Sequence, residues 1–292
     1  MKKIWGIVCL VLGATSALAD PVWVPPKGTI HGGVSYTHGN WDQFLELGSD
    51  SVNLPGEITQ HEFTLYGEYV PLENVSFDIV FPIVSVQRKF VYLTTDLNGN
   101  IIGITTGGSG ELRDVDENTG IGDVYLGGKY IFWEKGLSLG VRPYLKFPGT
   151  YHYGNIPNAP GDGQTDMGLG LLAGSYFQRI RTYVRGSFTL VQRFGDPHNQ
   201  MEFMIEPGVN ITKIWGARFT FQHIEQFGGQ DLAYYNFQNY YPAIEEDSGR
   251  IGVGMSLRAS DQITVYGLYQ QTIYGRNTAN TQAFTIGLDF SF

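Results

Sequence analysis

The sequence predicts an all-β protein, a transmembrane antiparallel up-and-down β-barrel of about 12 strands. Three observations predict this fold. Apolar and polar residues alternate along the closing segment 281–292, an export signal opens the chain, and short and long connections alternate between the predicted strands. A barrel closes only when its last strand pairs with its first, so residues 20–292 are predicted to form one domain.

The first 19 residues have the three parts of a secretory signal peptide. Lys2 and Lys3 form a positive start, residues 4–12 an apolar stretch, and Ala17-Leu18-Ala19 a cleavage site. We therefore expect residues 1–19 to be removed as a signal peptide. The alternative, an N-terminal anchor helix, is disfavoured because the apolar stretch is too short to span a bilayer. Cys9 is the single cysteine and lies in this segment, so no disulfide is predicted.

The composition narrows the class of protein. The net charge of −9 becomes about −11 when Lys2 and Lys3 are removed, which argues against a nucleic-acid partner. Beyond the signal peptide there is no apolar run of about 18 residues, the minimum for a membrane-spanning helix. The 39 glycines and the 14% aromatic content instead suit a barrel, in which one face of each strand is polar.

Twelve segments have strand character, each limited by turn residues or by a change in the alternation. In order, they are Thr29–Thr37, Ile58–Tyr69, Val75–Val86, Gly120–Trp133, Leu137–Phe147, Thr165–Phe177, Thr182–Arg193, Met201–Thr212, Ala217–Gln226, Gly249–Ala259, Gln262–Tyr274 and Thr281–Phe292. Short turns follow the even-numbered segments, whereas most long connections follow the odd-numbered ones. The connections after the seventh and eleventh segments are short exceptions. This asymmetry predicts periplasmic turns, extracellular loops and two periplasmic termini.

The alternation also predicts which face of each strand meets lipid. In the fifth segment, Leu137, Leu139 and Val141 share one face, whereas Arg142 and Lys146 share the other. A charge on the lipid face near the bilayer midplane costs roughly 2–4 kcal/mol, so the charged faces should point into the lumen. Aromatic residues near strand ends are expected to form interfacial girdles. They are Tyr69, Phe81, Trp133, Trp215, Phe219 and Tyr269.

The closing strand shows this pattern most clearly. Phe284, Ile286 and Leu288 fall on the face predicted to meet lipid, and Asp289 falls on the lumen face. The first strand is its predicted neighbour in the closed sheet. The chain stops on Phe292, as bacterial outer-membrane barrels typically do, so Phe292 is predicted to be the assembly signal.

Charged residues at the inward-facing positions of the strands are predicted to line the lumen, and they are candidates for contacting a transported solute. They are Glu62, Asp78, Asp123, Lys129, Arg142, Lys146, Arg185, Glu206, Arg218, Arg250, Arg258 and Asp289. Two interpretations remain open. Either the charges pair across neighbouring strands and stiffen or seal the interior, or some line a polar path that selects a solute. About 12 strands should enclose a narrow pore or a small-molecule site, because eight are filled by side chains and 16–18 leave an open channel.

Enzymatic and metal sites are not predicted. His223 precedes Glu225 on one face, and His61 lies on the outward face of the second strand, but no serine nucleophile elbow accompanies either histidine. The acidic loop 96–118 lacks the regular spacing of an EF-hand. We therefore predict no catalytic residues, no metal and no cofactor.

Two segments in the middle of the chain carry a family resemblance. The run Gly120-Ile-Gly-Asp-Val-Tyr-Leu-Gly-Gly-Lys-Tyr-Ile-Phe132 is followed by Pro143-Tyr-Leu-Lys-Phe-Pro-Gly149. Together they resemble the outer-membrane barrel family named for the MetA pathway of phenol degradation. The resemblance covers about thirty positions and implies a barrel that helps aromatic or other apolar small molecules cross the outer membrane. From the residues themselves, Gly122, Gly127 and Gly128 are expected either to let the backbone bend or to let a neighbouring bulky side chain fill the lumen.

Three functions follow as hypotheses. The preferred one is passive passage or uptake of small, hydrophobic or aromatic molecules across the bacterial outer membrane. The second is a plugged structural or surface-interaction barrel that acts through loops 87–119 and 229–247. The third is a lipid-modifying enzyme at the outer rim near His61 or His223. Expected partners are outer-membrane lipids, the barrel-assembly machinery and a small-molecule solute, without nucleic acid.

Overall fold

A computed structural model describes residues 22–45, 51–90, 92–95, 101–105, 113–150, 164–194, 199–227, 247–276 and 278–292. The predicted signal peptide lies outside these residues, so its cleavage after Ala19 stays a prediction. Within the described ranges, no helix is long and apolar enough to cross a membrane.

The described secondary structure consists of β-strands. They are β1 (Ile30–Leu45), β2 (Ser51–Leu72), β3 (Val75–Phe90), β4 (Tyr92–Thr95), β5 (Ile101–Thr105), β6 (Arg113–Ile121), β7 (Val124–Lys135), β8 (Leu137–Phe147), β9 (Asp166–Phe177), β10 (Thr182–Arg193), β11 (Asn199–Asn210), β12 (Trp215–Phe227), β13 (Asp247–Arg258), β14 (Ile263–Arg276), β15 (Thr278–Ala279) and β16 (Gln282–Ser291). All-β architecture, the first prediction from the sequence, is confirmed.

The strands form one closed antiparallel barrel. Closure occurs at β1, which pairs with β2 on one side and with β16 on the other. Both β6 and β7 pair with β3, so they are two parts of one wall strand and the wall has 12 strands, as predicted. The short β15 extends the pairing along β1, and β4 and β5 form a separate hairpin.

The connections alternate in length as the sequence predicts. Short turns at 73–74, 136, 178–181, 211–214 and 259–262 lie at the end of the barrel that also holds Ile30 and Phe292. The longer connections lie at the other end. We call the end with the short turns the periplasmic end and the opposite one the extracellular end, as in outer-membrane barrels.

The outer and inner faces of the wall differ as the alternation predicts. Leu169 and Leu171 of β9 are 54% and 55% exposed on the outside, whereas Asp166 and Leu172 of the same strand are buried inside. On β16, Phe284, Ile286 and Leu288 are exposed and Asp289 is buried. The outside is therefore an apolar belt suited to lipid, which is the surface of a transmembrane barrel.

Several details differ from the sequence prediction. β1 reaches Leu45 rather than Thr37, and β2 begins at Ser51 rather than Ile58, so both strands are longer at the extracellular end. The fourth strand was expected to run unbroken from Gly120 to Trp133, but it is interrupted at Gly122 and Asp123. The segment after β8 crosses this point: a Cβ on Gly149 would overlap the Ile121 carbonyl, and Thr150 N–H donates to that carbonyl at 3.1 Å. The predicted loop 87–119 is also shorter than expected, because β3 and β6 extend into it and pair there.

Candidate functional site in the barrel lumen

Buried ion pairs join different wall strands on the inner face of the barrel, in the periplasmic half of the lumen. Lys129 on β7 reaches over β3 to Glu68 on β2, with Nζ 3.1 Å from Oε1. Ser76 lies directly beside Lys129 on β3, and its small, fully buried side chain leaves the path clear. His31 Nδ1 lies 3.6 Å from the same carboxylate. Glu68, two wall strands away, is thus the partner of Lys129.

A second buried ion pair explains why position 127, within the family-like motif, is a glycine. Arg142 on β8 donates to Asp78 on β3 at 2.8 Å, so the two side chains meet across β7. Gly127 lies on β7 between them, and a Cβ there would be 2.6 Å from the Asp78 oxygens. Gly127 therefore leaves the space through which this pair forms.

A third cluster surrounds Glu206 on β11. Arg185 donates to Glu206 Oε2 at 3.0 Å and the Tyr183 hydroxyl donates to Oε1 at 2.9 Å. Arg218 Nη1 lies 4.0 Å from the same carboxylate, and its guanidinium stacks on Tyr266 at 5.8 Å. These groups are buried, so the desolvation of each charge is offset by its partners. We call the side chains of these three clusters the floor.

The chain segment before β1 adds to the floor, which sequence reasoning missed. Val22 and Trp23, 1% and 9% exposed, pack inside the barrel against Tyr183, Ile131 and Leu172. The rings of Trp23 and Tyr183 meet edge to face with centroids 6.1 Å apart. We call residues 22–24 the N-terminal plug. The adjoining Pro25-Pro26-Lys27-Gly28 turn, with Gly28 at φ 88°, is the signal in the sequence for a sharp reversal of the chain.

Another buried network lies farther toward the extracellular end. Lys146 contacts Asp166 and lies 3.6 Å from Asp123, and Arg193 Nε lies 3.8 Å from Asp166. Asp123 and Lys146, both predicted to face the lumen, are thus close together. These residues belong to β8–β10 or to the break before β7, so one arc of the lumen wall is strongly charged.

The opposite arc, formed by β14, β16 and β1, is mainly neutral. Its inward side chains include Ser35, Thr37, Thr264 and Thr285, and Thr37 Oγ1 lies 2.8 Å from Thr285 Oγ1. Asp289 is the buried acid of this arc, and a Cβ on Gly33 would lie 2.7 Å from its Oδ1. The lumen thus has a charged side and a side lined by hydroxyl groups.

Beyond the floor, several polar side chains with inward parity are half-buried, so solvent reaches them. These side chains, which we call the vestibule, are Thr37, Gln60, Glu62, Gln222, Arg250 and Gln270. Each lies seven or more residues along its strand from the periplasmic end. Arg258, another predicted lumen residue, instead ends β13 at the periplasmic end, where its N–H donates to the Ile214 carbonyl at 2.8 Å.

The histidines weighed as catalytic candidates lie on the outer surface. His61 Nδ1 is 2.6 Å from the Tyr36 hydroxyl, and the rings of His61 and His38 are 5.0 Å apart. His223 Nε2 is 3.6 Å from Glu225, and its Nδ1 faces the backbone carbonyl of Ser248 at 3.2 Å. In the part of the chain that the structure describes, no group of three His, Cys, Asp or Glu is placed to hold a metal.

Comparisons with known proteins agree with this architecture. The model of the family described as "Putative MetA-pathway of phenol degradation" matches residues 42–290. An outer membrane channel from Pseudomonas putida F1 superposes with a TM-score of 0.69 at 13% identity, covering 94% of this chain and 99% of that one. No curated protein sequence matches the chain. The channel's fold is thus the fold of this chain, and the predicted outer-membrane barrel is confirmed.

Weaker structural likenesses accompany this match. The KdgM porin superposes with a TM-score of 0.49 at 8% identity, covering 89% of this chain and 99% of that one. The CymD monoaromatic hydrocarbon channel superposes with a TM-score of 0.46 at 9% identity, covering 91% of this chain and 89% of that one. These two likenesses are too distant to bear on what this barrel carries.

Proposed function

Because the chain belongs to the MetA-pathway phenol-degradation family, we propose that it mediates passive passage of small, apolar or aromatic molecules across the bacterial outer membrane. One observation carries this proposal: the lumen has a solvent-accessible vestibule on the extracellular side of the ion-paired floor. We infer that a solute enters this space from outside. The hydroxyl-lined arc of β14, β16 and β1 offers it a wall without dense charge.

The lumen charges have two roles in this proposal. Three ion pairs stiffen the floor: Lys129 with Glu68, Arg142 with Asp78, and Arg185 with Glu206. Glu62 and Arg250 belong to the vestibule and meet the solute. Passage of the solute to the periplasmic side then depends on movement of the N-terminal plug. Val22 and Trp23 of the plug pack against the barrel wall.

We further propose that the barrel is not an enzyme. Both candidate histidines face the lipid side, where their described contacts are with tyrosine, histidine, glutamate or a backbone carbonyl. None of these groups is a serine hydroxyl of the kind that a lipid hydrolase uses as its nucleophile. Loss of a lipid-hydrolysing activity on replacing His61 or His223 would overturn this view.

A plugged barrel that acts through its extracellular loops is the second candidate. The buried floor and the N-terminal plug favour it, because both place buried side chains in the periplasmic half of the lumen. Most of loop 229–247, and part of loop 87–119, lies outside the described residues. The two candidates differ in whether solute crosses the barrel, so uptake of an apolar solute by cells with and without the protein separates them.

Phe292 is proposed as the signal read by the barrel-assembly machinery. Its side chain is 72% exposed at the periplasmic end, while its backbone is held by hydrogen bonds of 3.0 and 2.9 Å with Ile30. Deleting Phe292 should therefore remove two closing hydrogen bonds and the exposed ring together. We expect a several-fold lower yield of folded barrel in the membrane, measured by heat-modifiable migration on gels.

A matched variant separates the two effects of that deletion. Phe292→Ala keeps the backbone hydrogen bonds and removes only the ring. We expect it to assemble nearly as poorly as the deletion. Wild-type yield from Phe292→Ala would show that the aromatic ending has no part in assembly.

A further inference from the structure

Glu62 is the carboxylate of the vestibule. It lies on the inward face of β2, where Thr37 of β1 and Val84 of β3 are its register partners. It is half-buried, whereas Glu68 and Asp78 farther down the same region are buried. Glu62 therefore borders the accessible part of the bore.

Glu62 differs in its partners from the three acids of the floor. Glu68, Asp78 and Glu206 each have a cationic nitrogen within 3.1 Å. Around Glu62, the described residues supply only neutral donors: the Thr64 hydroxyl at 2.7 Å from Oε1 and the Gln60 amide at 3.3 Å from Oε2. An anionic carboxylate is thus held in place without a described ion pair.

The hydrogen bonds to Glu62 leave it with capacity to accept more. A carboxylate has about four lone-pair sites, and Thr64 and Gln60 use one on each oxygen. Thr37, the nearest hydroxyl across β1, is already bonded to Thr285. On the other side, Val84 and Val86 of β3 present buried apolar side chains to the interior. Charged and apolar side chains are therefore adjacent on the inner face of the wall.

We propose that Glu62 is a solute-binding carboxylate, which accepts a hydrogen bond from the polar head of a small apolar molecule. The head is a hydroxyl or an ammonium group, and the apolar body lies in the accessible part of the bore beside Glu62. An ammonium binds more tightly than a hydroxyl, because its hydrogen bond is charged on both sides. This inference rests on the proposed function and names the class of solute that the vestibule prefers.

Three probes with one ring and different heads test this assignment: toluene, benzyl alcohol and benzylamine. Glu62→Gln keeps an oxygen for Thr64 and removes the charge. We expect it to reduce protein-dependent uptake of benzylamine by about tenfold, the size of one charge-assisted hydrogen bond, and benzyl alcohol by less. Toluene uptake should not change. Glu73→Gln, in the exposed periplasmic turn, is the matched control and should leave all three unchanged.

Calorimetric titration of benzylamine into the detergent-solubilised barrel measures binding at Glu62 and does not require the solute to cross the barrel. Binding by the wild type that Glu62→Gln loses supports the site, even where no probe is taken up and the proposed function fails. Equal binding and uptake in the wild type and Glu62→Gln overturns the assignment, as does an equal fall for all three probes. Glu62→Asp, which keeps the charge, should retain part of the benzylamine binding if Glu62→Gln folds poorly.

Discussion

Deleting residues 20–24 is expected to raise the single-channel conductance of the barrel several-fold in planar bilayers. Val22 and Trp23 fill the periplasmic end of the lumen and pack against Tyr183, Ile131 and Leu172. Ions need a continuous aqueous path, and removing these side chains opens the part of the lumen that they fill. The wild type should show low or intermittent conductance, because the plug must move before ions pass.

A point substitution at Gly174 tests the same plug without shortening the chain. A Cβ on Gly174 would overlap Val22 Cγ1, so Gly174→Ala should displace the segment and raise conductance as the deletion does. Gly39→Ala is the matched control, because its added Cβ finds its nearest neighbours at 3.8 and 3.9 Å, ordinary contact distances. If the deletion and both substitutions conduct like the wild type, residues 22–24 do not limit flow.

Neutralising Glu206 is expected to destabilise the barrel by about 3–5 kcal/mol, because it leaves buried charges without their partner. Glu206→Gln removes the carboxylate to which Arg185 donates at 3.0 Å, and near which Arg218 lies at 4.0 Å. The glutamine keeps the volume and the bond from Tyr183, so packing changes little. Urea unfolding in lipid vesicles measures the loss in the free energy of unfolding.

Glu225→Gln gives the comparison for that measurement. Glu225 is paired with His223 at 3.6 Å, but near the extracellular end of β12, two residues before Phe227, where its side chain is 47% exposed. A pair so exposed contributes about 0–1 kcal/mol, so this variant should unfold close to the wild type. A loss below about 1 kcal/mol for Glu206→Gln would mean that water screens the floor, contrary to its burial.

The regular strands could be predicted from the sequence because alternation and turn residues act locally. β8 and β10 begin and end at the predicted residues, Leu137–Phe147 and Thr182–Arg193. The break at Gly122 was missed, because it arises from contact with Gly149, whose position depends on the tertiary fold. The N-terminal plug was missed for a similar reason. Three apolar residues before two prolines are too few to show the periodicity of a strand or a helix.

The inward charges were predictable as a set, but their partners were not. Parity placed Lys129 inside, yet the stagger of the strands determines that it meets Glu68 two strands away across Ser76. The separation of a packed floor from an accessible vestibule also depends on three-dimensional packing. That separation is what makes Glu62 different from Asp78, although both are acids with inward parity.

The central claim is that small apolar solutes cross the membrane through the lumen, and blocking the vestibule tests it most directly. Cys9 is the only cysteine of the sequence and lies in the predicted signal peptide, so a single engineered cysteine can be labelled cleanly. Gln222→Cys places the thiol in the vestibule, and Val253→Cys places it on the exposed outer face as a control.

The measurement is uptake of radiolabelled toluene by cells carrying either variant, before and after labelling with a bulky maleimide. We expect labelling of Gln222→Cys to reduce uptake to the level of cells without the protein, and labelling of Val253→Cys to leave uptake unchanged. Unchanged uptake through fully labelled Gln222→Cys, or no difference between cells with and without the folded protein, would contradict passage through the lumen.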